Sequence, residues 1–305
     1  MAVPETRVLP FDDAAIAEAA RLILAGEPVA VPTETVYGLA ADATNATAVA
    51  RIYAAKGRPS FNPLIVHAAD LAAAEAIGEF NDGARALAEE HWPGPLTLVV
   101  PLKRGTPVAS LVTAGLPTIA LRVPAHPAMQ ALLAAVGRPL AAPSANASGR
   151  LSPTRAAHVL ATLGGRIPLI IDGGPTERGI ESTIIAATGG PLRLLRRGPI
   201  DVQAEEASGA IEAPGMLASH YAPHKPLRLD ASQARDGEFL IGFGDVAGDA
   251  TLSASADPVE AAARLFDLLH QADAAPQRKI AVAPIPGDGL AAAIRDRLER
   301  AAAPR

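Results

Sequence analysis

The chain has 305 residues, 49% of them hydrophobic, a formal net charge of −5 and no cysteine, so it suits about two domains with a sizeable core. The lack of Cys excludes a disulfide framework, a cysteine zinc site and thiolate chemistry, and fits a reducing cytosol. An acidic total argues against a surface that coats nucleic acid, and no leader pattern or run of about 18 apolar residues occurs, so a soluble, cytoplasmic protein with no membrane partner is expected.

Taken in chain order, Asp12 can cap a helix over 13–25, which places Ile16, Ala20, Ile23 and Leu24 on one face and stops at Gly26. A strand over 29–31 leads through Pro32 into TETVYGL. Here Thr33, Thr35 and Tyr37 stand just past a strand, where open α/β sheets hold ligands; a turn braced by threonine hydroxyls is the competing reading. A helix over 46–55 then runs into KGRPSFNPLIVH, residues 56–67. Lys56 and Arg58 flank Gly57, while Pro59 and Pro63 stiffen the backbone. Cations on a stiff loop lose little entropy when a ligand orders them, so this segment reads as an anion holder or as an ordinary solvated loop.

Strands are expected at 64–66, 96–100, 118–122, 140–142, 169–172, 182–186 and 192–195, with helices near 71–77, 81–90, 127–136 and 154–163. Such alternation, with several strand-to-strand neighbours, predicts α/β architecture around a mixed, twisted sheet. No Asp or Glu occurs over 91–171, whereas Lys103, Arg104, Arg122, Arg138, Arg150, Arg155 and Arg166 fall there; a concave positive cavity is therefore expected. Residues 201–305, by contrast, carry 10 Lys and Arg against 16 Asp and Glu. The segment APSANASGRLSP offers Ser144, Asn146, Ser148, Gly149 and Ser152, small groups that let backbone N–H approach a phosphate, or a plain Ser/Gly/Pro loop. Arg122, Arg196 and Arg197 end strands, where a guanidinium can fork onto a carboxylate or phosphate or simply finish a strand in water.

Residues 1–206 read as the main domain, 207–226 as a connector with bends at Ser208, Gly209, Pro214, Gly215, Pro223 and Pro226, and 227–305 as a small Rossmann-like α/β domain. In the last, strands are expected at 227–229, 239–243 and 279–283 and helices at 258–270 and 290–302. Met216, His220 and Tyr221 are odd constituents for a solvated spacer. No P-loop, dinucleotide fingerprint, H-E-x-x-H or G-x-S-x-G elbow is present. A Ser–His–acid triad stays open, with no elbow to support it, but the residues point to positioning by cations and hydroxyls.

In this order and spacing, PTETVYGL, KGRPSFNPLIVH, APSANASGRLSPT, ESTI, LLRRGPI and PGMLASHYAPHKP closely resemble the YrdC-like L-threonylcarbamoyladenylate synthases in their long, two-domain form. The resemblance spans about residues 10–225. It implies a reaction of L-threonine, bicarbonate or CO2, and ATP that gives threonylcarbamoyl-AMP and pyrophosphate, with a downstream transferase moving the threonylcarbamoyl group to the tRNA adenosine beside the anticodon. It implies Mg2+ carried with ATP rather than by protein ligands. Stable nucleic-acid binding is not required.

Carried over by position, Thr35, His67, Arg122 and Ser182 look like the L-threonine contacts. Arg58, Asn62, Thr118, Ser144, Ser152, Arg196 and Tyr221 resemble the ATP set, Tyr221 as a residue folding over the nucleotide. Lys56 and Arg58 would stabilise developing phosphate charge. The chain departs from the family pattern at Leu217, Ala218 and Ser219, where many relatives carry a basic and aromatic run. Two rival readings are a non-catalytic module for double-stranded RNA or tRNA, opposed by 3% aromatics and the acidic total, and a carbamoyl-phosphate-using relative.

Overall fold

The computed structural model describes residues 5–207, 212–213 and 220–304. The expected bends at Ser208, Gly209, Pro214 and Gly215, together with Met216, Leu217, Ala218 and Ser219, lie outside them.

Eleven strands form one mixed sheet in the order β1-β8-β2-β3-β7-β4-β6-β5-β9-β10-β11. These are β1 Arg7–Pro10, β2 Val29–Pro32, β3 Tyr37–Asp42, β4 Ile65–His67, β5 Leu96–Pro101, β6 Thr118–Arg122, β7 Leu140–Ala141, β8 Leu169–Asp172, β9 Thr183–Ala186, β10 Arg193–Arg196 and β11 Glu205–Glu206. Helices α1 Asp13–Leu24 and α6 Pro127–Val136 cover one face, and α2 Ala46–Lys56, α4 Asp82–His91 and α7 Ala156–Leu163 the other. The short helices α3 Leu71–Glu75 and α5 Ser110–Thr113 complete this lobe.

Local chemistry sets the helix starts. The Asp12 carboxylate accepts from Ala15 N at 2.7 Å, and Asn45 and Asn81 cap α2 and α4 in the same way. Gly57, in left-handed backbone at φ 61°, ends α2. The expected anion loop therefore begins inside a helix, because Lys56 is its last residue and is buried.

Two expectations change in this lobe. TETVYGL is not wholly a turn: from Tyr37 it pairs as β3 against β2 and β7, two buried neighbours that outweigh the breaking tendency of Gly38. Strand β1 was not expected, since four mostly exposed residues gain their ladder only from distant β8.

A second sheet, all parallel, has the order β12-β15-β13-β14: β12 Leu227–Arg228, β15 Lys279–Val282, β13 Glu238–Gly242 and β14 Ala250–Thr251. Helices α8 Pro258–Ala274 and α9 Leu290–Ala302 share its core. Helix α8 runs four residues beyond the expected stop at residue 270, with Leu269 and Ala272 still on its buried face. The two lobes touch closely at Gly179, where an added Cβ would lie 2.2 Å from the Ala262 carbonyl oxygen of α8.

Candidate active site

Parallel register sets the first two groups side by side. In the β4–β6 pair His67 is the direct partner of Arg122, so an imidazole and a guanidinium end adjacent strands at their carboxyl edge. Strand β5 starts beside them after Gly94, and β9 starts after Ser182 on the neighbouring strand. The result is a cavity lined by Thr33, Thr35, Arg58, His67, Arg122, Ser144, Glu181, Ser182, Arg196, His220 and Tyr221, among others. Three guanidiniums face it against one carboxylate.

Arg122 is fixed from three directions. Nε donates to Gly94 O at 3.2 Å, Nη1 to Thr35 Oγ1 at 3.0 Å and Nη2 to Glu34 Oε1 at 2.7 Å. A guanidinium has five N–H donors, so two remain for an incoming oxyanion. The other oxygen of Glu34 accepts from Ala125 N at 3.1 Å. Burial pushes the Glu34 carboxyl up, but Arg122 and these hydrogen bonds outweigh it and hold it below the usual carboxylate range.

The hydroxyl protons can be assigned by counting. Thr33 Oγ1 donates to Val36 O at 2.7 Å, so in its 2.8 Å contact with Thr35 it must accept. Thr35 thus accepts from Arg122 and donates to Thr33, which leaves one lone pair for a ligand donor. Ser182 Oγ pairs with Thr97 Oγ1 at 2.7 Å and accepts from Arg196 Nη2 at 3.0 Å, while Arg196 Nε donates to Ser182 O. His67 Nδ1 and Tyr221 Oη are buried and have no hydrogen-bond partner among the described residues. Burial, then Arg122, pushes His67 down to about 3, so its ring is neutral at pH 7.

At the opposite end, Arg58 Nε donates to Asn62 O at 3.2 Å and Nη2 to Pro63 O at 2.9 Å. Asn62 Oδ1 is buried and has no hydrogen-bond partner among the described residues. Pro63 lies two residues before β4, and Thr118 opens the neighbouring strand β6. Burial pushes the Arg58 guanidinium down to about 10, which still leaves it cationic at neutral pH.

The structure thus brings Thr35, Arg58, His67, Arg122, Ser144, Ser182, Arg196 and Tyr221 onto one cavity. Four expected groups lie behind its surface. Lys56 Nζ donates to the carbonyls of Ser144 and Asn146, so it braces the 144–146 turn; burial, then Arg58, pushes its ammonium well down. Ser152 Oγ donates to Glu181. Asn62 meets Arg58 through its carbonyl, and Thr118 is not among the residues that line the cavity. Tyr37 turns away and donates to Gly174 O at 2.7 Å.

Glu34, Glu181, Thr97 and Arg297 did not stand out from the sequence. Glu34 and Glu181 could have: each sits within a motif singled out for its hydroxyls, and Glu181 falls ten residues past the acid-free stretch. Glu181 accepts from Arg297 Nε of α9 at 2.8 Å, and both side chains are buried.

Among the described residues no group of His, Asp and Glu is placed to hold a metal ion, and none of the helices is long and apolar enough to cross a membrane.

Residues 21–198 match the Sua5/YciO/YrdC family model, described as "Telomere recombination". Residues 178–303 match a second model, "Threonylcarbamoyl-AMP synthase, C-terminal domain". A threonylcarbamoyl-AMP synthase of Bacillus subtilis is 47% identical over 242 residues, covering 74% of this chain and 70% of that protein. One from Pyrococcus abyssi is 39% identical over 316 residues, covering 93% and 92%. A crystal structure of P. abyssi Sua5 complexed with L-threonine superposes with a TM-score of 0.89 at 36% identity, covering 97% of this chain and 98% of that one. The chain belongs to the Sua5 family of two-domain threonylcarbamoyl-AMP synthases.

Proposed function

We propose that the chain is a nucleotidyltransferase that converts L-threonine, bicarbonate or CO2, and ATP into threonylcarbamoyl-AMP and pyrophosphate. The observation that carries this is a single cavity that gathers Thr35, Arg58, His67, Arg122, Ser144, Ser182, Arg196 and Tyr221, with His67 and Arg122 at the carboxyl ends of β4 and β6 and Arg58 tied to the chain just before β4. Each substrate bears or acquires an oxyanion, and guanidiniums in a dry cavity hold such charge far better than in water.

In this reading the two spare N–H donors of Arg122 take the threonine carboxylate, and the free lone pair on Thr35 accepts from its ammonium or hydroxyl. His67 offers a neutral ring, so it does not repel the ammonium. The bound ammonium first gives up a proton to solvent; the free amine adds to the carbon of bicarbonate with loss of water, and a carbamate oxygen then attacks the α-phosphorus as the bond to the pyrophosphate oxygen breaks. Arg58 and Arg196 align and neutralise the phosphates, and no covalent enzyme intermediate is needed.

The donor set does not fit a resident hard cation. Glu181, the one lining carboxylate, is already tied to Ser152 and Arg297. Mg2+ would enter on the phosphates of ATP and be held by them. The product would pass to a tRNA threonylcarbamoyl transferase in the cytosol.

The test is ATP-to-pyrophosphate turnover with threonine or bicarbonate omitted in turn. Formation of threonylcarbamoyl-AMP that needs both supports the reading. Turnover indifferent to threonine, or driven by carbamoyl phosphate, sinks it.

A further inference from the structure

We infer that the small lobe completes the ATP end of the cavity through Arg297, a positioning residue on α9; the inference rests on the function proposed above. Arg297 is fully buried, although it belongs to a charged helical stretch, IRDRLER, that suggests a solvated face. All three of its nitrogens are engaged. Nε donates to Glu181 Oε2 at 2.8 Å, Nη2 to Arg197 O at 2.8 Å and Nη1 to Asp296 Oδ2 at 2.7 Å.

Its guanidinium also lies over the Tyr221 ring, 5.2 Å from the centroid. Glu181 in turn takes the hydroxyl of Ser152. One side chain from the far end of the chain therefore orients two groups of the ATP set, Ser152 through Glu181 and Tyr221 by stacking.

The backbone around Tyr221 says the same. His220 N donates to Arg300 O of α9 at 3.2 Å, and Ala222 N to Gly149 O of the large lobe at 2.9 Å. Tyr221, clamped between them, is in left-handed backbone at φ 60°, a conformation that a bulky residue keeps only when its surroundings impose it. Its ring also packs on Phe266 of α8, centroids 5.7 Å apart. The tyrosine wall of the cavity is thus built jointly by both lobes, with Arg297 as the shared contact.

The experiment is steady-state kinetics of the full-length Arg297→Met and Arg297→Lys variants, with folding checked by thermal unfolding. Arg297→Met should raise KM for ATP at least tenfold while KM for L-threonine stays within about threefold. Arg297→Lys keeps a cation beside Glu181 but loses the flat group over Tyr221, so it should restore part of the loss. It also carries the test if Arg297→Met does not fold. Joined with Tyr221→Ala, either variant should add less than its separate effect. Equal shifts in both KM values, unchanged KM for ATP in a folded variant, or strict additivity with Tyr221→Ala would overturn the inference. Loss of threonine dependence in the unaltered enzyme would instead overturn the proposed reaction.

Discussion

Arg122 and Glu34 meet at 2.7 Å with both side chains almost wholly buried, so the cation assigned to the threonine carboxylate already has a carboxylate partner. The pair explains how a guanidinium can stay buried with its charge balanced and its plane fixed. Removing one member strands the other. Arg122→Ala is expected to lower unfolding free energy by about 3–5 kcal/mol in urea titration, because Glu34 is left buried and alone. Arg122→Lys keeps charge without the fork, and should raise KM for L-threonine more than tenfold with KM for ATP little changed. A larger effect on ATP than on threonine would reverse the assigned ends.

Lys56 is expected to act through the chain it braces. Its ammonium serves two main-chain carbonyls of the turn that presents Ser144. Lys56→Met leaves the buried Asn146 carbonyl without its lysine donor, at about 1–3 kcal/mol, while Ser144 O keeps only its bond from Asn146 N at 3.0 Å. Stability should fall, and KM for ATP should rise because Ser144 loses its support. If Lys56→Met is as stable as the unaltered enzyme and only kcat drops, the ammonium acts on the phosphates directly.

Acid should destabilise the fold earlier than carboxylate protonation alone would. Burial pushes His67, His158 and His220 down to about 3 each; His158 is also stacked on His270, ring centroids 3.8 Å apart. A lowered folded pKa means that the unfolded chain binds protons first. Stability is thus complete above about pH 6.5, the ordinary histidine value, and declines down to about pH 3. Each such group contributes up to about 1.4 kcal/mol per pH unit inside that window. The unfolding midpoint should drop steadily from pH 7 to pH 5, and His158→Gln should flatten the slope. A midpoint constant over that range would show that these rings protonate without cost.

Much of the site was legible because its residues cluster in short motifs at strand ends. Arg122 could be placed at a strand end, and His67 just past one, from apolar runs alone; that the two strands are neighbours comes only from their register. What stayed hidden depends on contacts distant in sequence. Glu181 and Arg297 are 116 positions apart, and the local pattern around Arg297 is that of an exposed helix with an i,i+4 pair, Asp296 to Arg300. Nothing short of the packing of α9 against the large lobe marks it as buried. Strands β3 and β14 were hidden for a similar reason: Gly38 and the two-residue Ala250–Thr251 carry little propensity, and their partners supply the order.

Gly179 tests whether the lobes must stay in register for catalysis. It has φ 68°, and a Cβ there would come within 2.2 Å of Ala262 O and 2.5 Å of Ala263 Cα, both backbone atoms of α8 that cannot swing aside. Gly189, at φ 101° with nothing within 4 Å, offers the matching control, since alanine there meets only backbone strain. Gly189→Ala should cost about 1–2 kcal/mol and leave kinetics unchanged. Gly179→Ala adds a steric term of about 1–3 kcal/mol and pushes α8, with Phe266 behind Tyr221, off the large lobe. KM for ATP should therefore rise in Gly179→Ala, as in Arg297→Met, while KM for L-threonine changes little. If both glycine variants lose the same stability and keep the same KM for ATP, the two lobes do not need this contact to hold the tyrosine wall.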